Sequence, residues 1–96
     1  MLDDEIIISK TYQLAKNTQA KGNHPFGALL AVDGKIILTA ENTVITDSDA
    51  TRHAELNLVS KATQALDSET LERSTLYTST EPCAMCAGAI FWAGIS

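Results

Sequence analysis

Basic residues are few. Seven Lys and Arg stand against twelve Asp and Glu in 96 residues, a net charge of −5. A protein that grips nucleic acid by displacing phosphate counterions needs the opposite balance, so nucleic acid is an unfavoured partner and a small neutral molecule fits better. Cysteine is equally scarce, with one thiol at position 83 and one at 86. So sparse a set builds no secreted disulfide scaffold, which leaves metal binding or redox chemistry. The N-terminus, Met-Leu-Asp-Asp-Glu, lacks the basic region of a secretory signal, and the expected location is the cytoplasm. The charge-free stretch Cys83–Ile95 has the length of a buried core helix and is too short for a bilayer, so no membrane partner is expected.

What is present suits a small globular domain. A composition 45% hydrophobic and 20% charged is ordinary for a packed soluble fold and unlike a disordered tail. Chains of this length bury only ~60–65% of their unfolded surface, so one domain spanning residues 1–96 is the most the length allows.

Asp3, Asp4 and Glu5 precede Ile7, Thr11, Leu14 and Thr18, a spacing that predicts an amphipathic helix with acids at its positive end. Lys21-Gly22 ends it. His24-Pro25-Phe26-Gly27 reads as a loop, because Pro25 disfavours helix at His24 and Gly27 permits a close backbone approach. Ala28–Val32 and Lys35–Ala40 flank Asp33-Gly34, the pairing that favours a type I′ hairpin turn. The polar stretch Asn42–Arg52 reads as a loop. Beyond it Ala54, Leu58, Ala62 and Leu66 recur every four positions, one buried face of a second helix. Ser68–Arg73 is a connection with room for a helical turn, and Thr75–Ser79 is rich in β-branched and aromatic residues, as strands are. Cys83–Trp92 is apolar on every side and predicts a helix covered all round.

Two stretches carry the chemistry, His53-Ala54-Glu55 and Pro82-Cys83-Ala84-Met85-Cys86. One imidazole and two thiols suit zinc (Zn2+) and leave a fourth tetrahedral position for water. Cys83 and Cys86, at i and i+3, face the same way in the first turn of their helix, where the N-terminus is expected to lower both thiol pKa values. His53 and Glu55 share a site only if their helix begins at or beside His53. Glu55 then stands next to the open position as a proton carrier. Blander readings stand alongside: a Cys-x-x-Cys redox pair, or a structural zinc with His24 or Glu81 as fourth ligand.

His-x-Glu followed by Pro-Cys-x-x-Cys resembles the signature of the zinc-dependent nucleobase deaminases, the cytidine and deoxycytidylate deaminase superfamily. Pro25–Ala28, Leu76–Cys83 and Ala87–Trp92 look most like bacterial guanine deaminases and related nucleoside deaminases. The resemblance implies an α/β fold, a three-layer αβα sandwich on a mixed sheet, with only the first three strands and three helices of the family present. It therefore suggests a chain shorter than its relatives, lacking the segment that closes the pocket in guanine deaminases, and leaves the third strand as a sheet edge.

By the same resemblance, His53, Cys83 and Cys86 hold zinc while Glu55 shuttles the proton during hydrolytic deamination. Guanine, giving xanthine and ammonia, is the preferred substrate. Asn42, which is otherwise a turn residue, hydrogen-bonds the base or sugar; Phe26, otherwise a loop anchor, stacks on the base. The Ala54 amide at the helix start holds a substrate carbonyl, and Trp92 is a candidate contact that elsewhere serves core or interface. A homodimer is expected. The alternatives are tRNA adenosine deamination, or a catalytically silent zinc-binding chain that pairs with a partner.

Overall fold

The computed structural model describes residues 4–95; Asp3 of the expected first helical turn and the terminal Ser96 lie outside them. A central strand has to be apolar on both faces, and Gly27-Ala-Leu-Leu-Ala-Val32 meets that condition. It forms β1 (Gly27–Val32), in the middle of a three-stranded sheet of order β2-β1-β3, with β2 (Lys35–Glu41) and β3 (Ser74–Thr78) both antiparallel to it. Asp33 and Gly34 join β1 to β2 with φ of 52° and 77°, the paired positive values that the type I′ turn requires. Beyond the turn Ala31 pairs with Ile36 but Leu30 pairs with Leu38, so Ile37 is bulged out of β2. As expected, β3 is a sheet edge.

Side chains alternate across β1, and two cores result. Leu29 and Ala31 meet Ile7 and Leu14 of α1 (Asp4–Ala20), where Ile7, Thr11, Leu14 and Thr18 are all buried as their spacing predicts. Ala28 and Leu30 face the other way, onto Ala54, Leu58, Val59 and Ala62 of α3 (Ala54–Ala65). Helix, sheet and helix make the three layers. Gly27 lies where α1 crosses the sheet, and a Cβ there would stand 2.5 Å from the Leu14 Cβ and 2.8 Å from the Thr11 carbonyl oxygen. The close approach expected of this glycine is present.

Two short helices exceed the three expected. Within the polar loop, α2 (Val44–Asp47) forms from residues with little helical preference because two asparagines supply acceptors for its free amides. Asn42 Oδ1 accepts from Val44 N–H, and Asn23 Oδ1 accepts from Ile45 and Thr46 N–H, each at 3.0 Å. The connection after α3 becomes α4 (Ser68–Arg73), capped by Asp67, whose carboxylate accepts from Thr70 N–H at 2.8 Å.

The last helix, α5 (Ala84–Ala93), departs from expectation. It is not covered all round. Ala89, Ile90 and Ala93 pack on the α3 side of the core, but Cys86 is its one fully buried residue among those described, and Phe91 and Trp92 are 73% and 85% exposed. Composition measured how much apolar surface the helix carries; it did not say that no described residue packs on the opposite stripe. No described helix is long and apolar enough to cross a membrane.

Candidate active site

Two helix starts are brought together by the fold. His53 is the N-cap of α3 and Cys83 the N-cap of α5, both in extended backbone conformation and neither spending its side chain on a cap hydrogen bond. Their side chains are therefore free to point at one another across the helix ends. Cys86 lies one turn into α5 and faces the same point.

His53 Nδ1 is 3.6 Å from Cys83 Sγ and 3.7 Å from Cys86 Sγ, and all three donor atoms lie within 4.8 Å of one another. A tetrahedral zinc with Zn–N near 2.05 Å and Zn–S near 2.3 Å places nitrogen and sulfur about 3.6 Å apart. The donor set fits zinc in both chemistry and spacing, through Nδ1 of the imidazole. Neither His24 nor Glu81 belongs to this cluster, so among the described residues it has three protein ligands. That is the pattern of a catalytic zinc and not of a closed structural one.

The two thiols sit in unlike surroundings. Cys83 is exposed, and the backbone N–H of Cys86, chiefly, holds its thiol below the ordinary value. Cys86 is buried, and burial pushes its thiol up to about 12, with Cys83 and Glu55 adding to the effect and the Leu56 N–H opposing it. The expectation that the helix start lowers both thiols is thus corrected for Cys86: desolvation outweighs the amide field one turn into the helix. Cys86 has to give up its proton when it ligates a metal.

Glu55, in the first turn of α3, is only 5% exposed yet forms no ion pair or hydrogen bond with another described residue. It lines a cleft of about 150 Å³ together with Phe26, His53, Thr80, Glu81 and Cys83. Its carboxylate is not one of the sealed polar atoms of the core; it opens on this cleft beside the three candidate metal ligands. Larger hollows of about 540 Å³ between β2 and α3 and about 520 Å³ beside α1 contain none of the three metal ligands.

The other sequence-derived residues fall in different places. Phe26 lines the cleft and also packs on the α3 core, so anchoring and facing the site are not exclusive. Ala54, fully buried, opens α3 with an N–H that has no acceptor inside the helix. Asn42 is 2% exposed and lies outside the lining of the cleft; Phe26 O accepts its N–H, its carbonyl accepts the Thr18 hydroxyl, and its Oδ1 caps α2. Trp92 does not line the cleft. It stands six residues past Cys86, about 9 Å along the helix, with its ring edge-on to Phe91 at 5.4 Å. Glu81, a fourth-ligand candidate in the sequence, lines the cleft instead; Thr80 is an addition from the structure, and its signal in the sequence was adjacency to Glu81-Pro82-Cys83.

Comparison with known proteins leads to the same site. The model of the cytidine and deoxycytidylate deaminase zinc-binding region matches residues 1–96. The X-ray structure of guanine deaminase from Bacillus subtilis superimposes with a TM-score of 0.88 at 41% identity, covering 96% of this chain and 59% of that one. The tRNA-specific adenosine deaminase of the same bacterium is 40% identical over 90 residues, 94% of this chain and 56% of that protein. A probable cytosine deaminase of Schizosaccharomyces pombe is 38% identical over 92 residues, again 56% of its length. The chain thus spans little more than half the length of these relatives. With its donor triad spaced for zinc and its whole length matched, the chain belongs to the family of the cytidine and deoxycytidylate deaminase zinc-binding region.

Proposed function

We propose that this chain carries the metal-binding and proton-transfer half of a hydrolytic deaminase acting on a nucleobase or nucleoside, with guanine, converted to xanthine and ammonia, as first choice. The observation that carries the reading is Glu55, whose carboxylate shares the lining of one cleft with His53 and Cys83, beside a three-ligand set with room for a fourth. When bound there, zinc acidifies water to a pKa of roughly 7. Glu55 takes one proton from the attacking water as the C–O bond forms and delivers it to a ring nitrogen, then carries the second proton, from the new hydroxyl, to the amine as the C–N bond breaks, so that the ring keeps a carbonyl and ammonia departs. Phe26 offers a ring face to the base, and the Ala54 N–H at the start of α3 is a donor for its carbonyl.

Guanine is favoured by the likeness to the guanine deaminase of Bacillus subtilis, and a charge of −5 argues against a large polyanion. Adenosine in tRNA is the second reading, supported by the 40% identity to a tRNA-specific adenosine deaminase. The bare, uncharged end of α5 supports a homodimer, in which Phe91 and Trp92 are covered by a second copy. We place the protein in the cytoplasm. The test is ammonia release from zinc-loaded protein over guanine, cytosine, adenine, their nucleosides and a tRNA hairpin. Release from guanine alone supports the first reading and release from the hairpin alone the second. No release from folded, zinc-loaded protein replaces both with a silent partner chain.

A further inference from the structure

We propose that Asn57 is a positioning residue for the metal centre, acting through the backbone of His53; the inference rests on the zinc reading of the His53, Cys83 and Cys86 cluster. Asn57 makes no hydrogen bond to the side chain of a metal ligand. Its amide Nδ2 donates to the Glu41 carbonyl at 2.9 Å, to Thr43 Oγ1 at 3.0 Å and, more weakly, to the Arg52 carbonyl at 3.3 Å. Its backbone N–H donates to the His53 carbonyl at 2.9 Å.

The last two bonds fall on consecutive carbonyls. The Arg52 carbonyl lies in the peptide plane before the His53 Cα, and the His53 carbonyl in the plane after it. One residue therefore holds both planes between which the φ and ψ of His53, −65° and 153°, are defined. Those two angles set the direction of the Cα–Cβ bond and so where Nδ1 points. Thr43 N–H also donates to the Arg52 carbonyl, at 2.9 Å, but Thr43 belongs to the same loop and moves with it. The Asn57 side chain is what ties that loop to α3, whose first cap is His53. Its bonds to Glu41 and Thr43 fix the loop's other end, where β2 finishes, so the path from residue 42 to residue 53 is pinned at both ends.

Two carbonyl oxygens and the Thr43 hydroxyl surround the Asn57 amide nitrogen, so replacing that nitrogen by a carboxylate oxygen turns both carbonyl contacts into repulsions at almost unchanged volume and leaves only the Thr43 hydroxyl able to donate to it. The test is zinc affinity of the full chain, measured by competition with a chromogenic chelator, together with the visible spectrum of the cobalt-substituted protein. Asn57→Asp and Asn57→Ser are compared with Lys61→Ala. The last breaks a different bond from α3 to β2, Lys61 Nζ to the Thr39 carbonyl at 3.0 Å, and leaves the peptides beside His53 alone. Asn57→Asp is expected to weaken zinc binding about 10- to 100-fold, the cost typical of losing an outer support, and to shift the cobalt bands. Lys61→Ala is expected to bind both metals as wild type does. If Asn57→Asp does not fold, Asn57→Ser, which adds no charge but cannot reach three acceptors, carries the same comparison. Folded Asn57 variants with wild-type zinc affinity and an unchanged cobalt spectrum overturn the proposal alone. A wild-type chain that takes up no zinc overturns the metal reading with it.

Discussion

Replacing Gly27 by alanine tests the packing of α1 on the sheet directly. The added Cβ meets the Leu14 Cβ at 2.5 Å, the Thr11 carbonyl oxygen at 2.8 Å and the Ala15 nitrogen at 3.0 Å. Carbon atoms in comfortable contact stand about 3.5–4.0 Å apart, so α1 has to lift by roughly 1 Å along its contact with β1. Backbone atoms form two of the three contacts and cannot turn away. Overpacking of this kind costs about 1–3 kcal/mol. Alanine also stiffens the unfolded chain, and because Gly27 is not among the positive-φ glycines it returns about 0.4–1 kcal/mol. The net expected loss is about 1–2 kcal/mol, or a fall in Tm of roughly 5–15 °C for a domain this small. Thermal unfolding followed by circular dichroism measures it. Leu14→Ala in the same chain brings no relief, because the contact is with a Cβ that alanine keeps. A Gly27→Ala protein as stable as wild type would refute the reasoning and mean that α1 rides higher on the sheet than described.

Glu55→Gln is expected to keep zinc and lose about 10²- to 10⁴-fold in kcat, read by ammonia release alongside metal content. Loss of zinc from this variant would show that the carboxylate is a ligand. Cys86→Ala is expected to abolish zinc retention, and a chelator should lower the Tm of wild type but not of this variant; ligand at 100 times its Kd is worth about 2.7 kcal/mol. Equal chelator effects in the two would remove Cys86 from the site. Phe91→Asp with Trp92→Asp is expected to convert a dimer to monomer in sedimentation experiments, and a wild-type monomer would refute the covered-face reading. The Tyr77 hydroxyl donates to Asp4 at 2.8 Å, which raises its pKa above the ordinary 10.0. A raised folded-state value means that this bond's stability is fully present below pH ~10 and is lost as pH rises through the folded value. The stability gap between wild type and Tyr77→Phe should therefore be flat up to about pH 10 and close above it.

Local chemistry was the legible part of this fold. Asp33-Gly34 fixed the hairpin because a type I′ turn needs two positive φ values that few residue pairs accept. The α1 stripe followed from spacing alone, and the metal set from ligand types and the i, i+3 placement of the cysteines. What stayed hidden depended on distant partners. Val44-Ile-Thr-Asp47 reads as loop until Asn23, more than twenty positions earlier, supplies an acceptor for its amides. The rise of the Cys86 pKa comes from burial that no local pattern encodes, and nothing adjacent to Asn57 marks its role because its side-chain acceptors lie across a loop. The exposed end of α5 was missed for the opposite reason, since hydrophobicity was read as evidence of a cover.

The bulge at Ile37 has a consequence for strand length. Regular alternation would put Ile36 and Leu38 on the same side of the sheet, yet Ile36 packs toward α1 and Leu38 toward α3. Because Ile37 is bulged out of the ladder and does not count in the alternation, both neighbours reach their separate layers. Excising Ile37 leaves Ile36 and Leu38 adjacent and still on opposite sides, now in unbroken ladder, so β2 accepts a single-codon deletion there. A residue inserted between Leu38 and Ala40 and kept in the ladder inverts the faces of one half of the strand, so it is tolerated only as a second bulge.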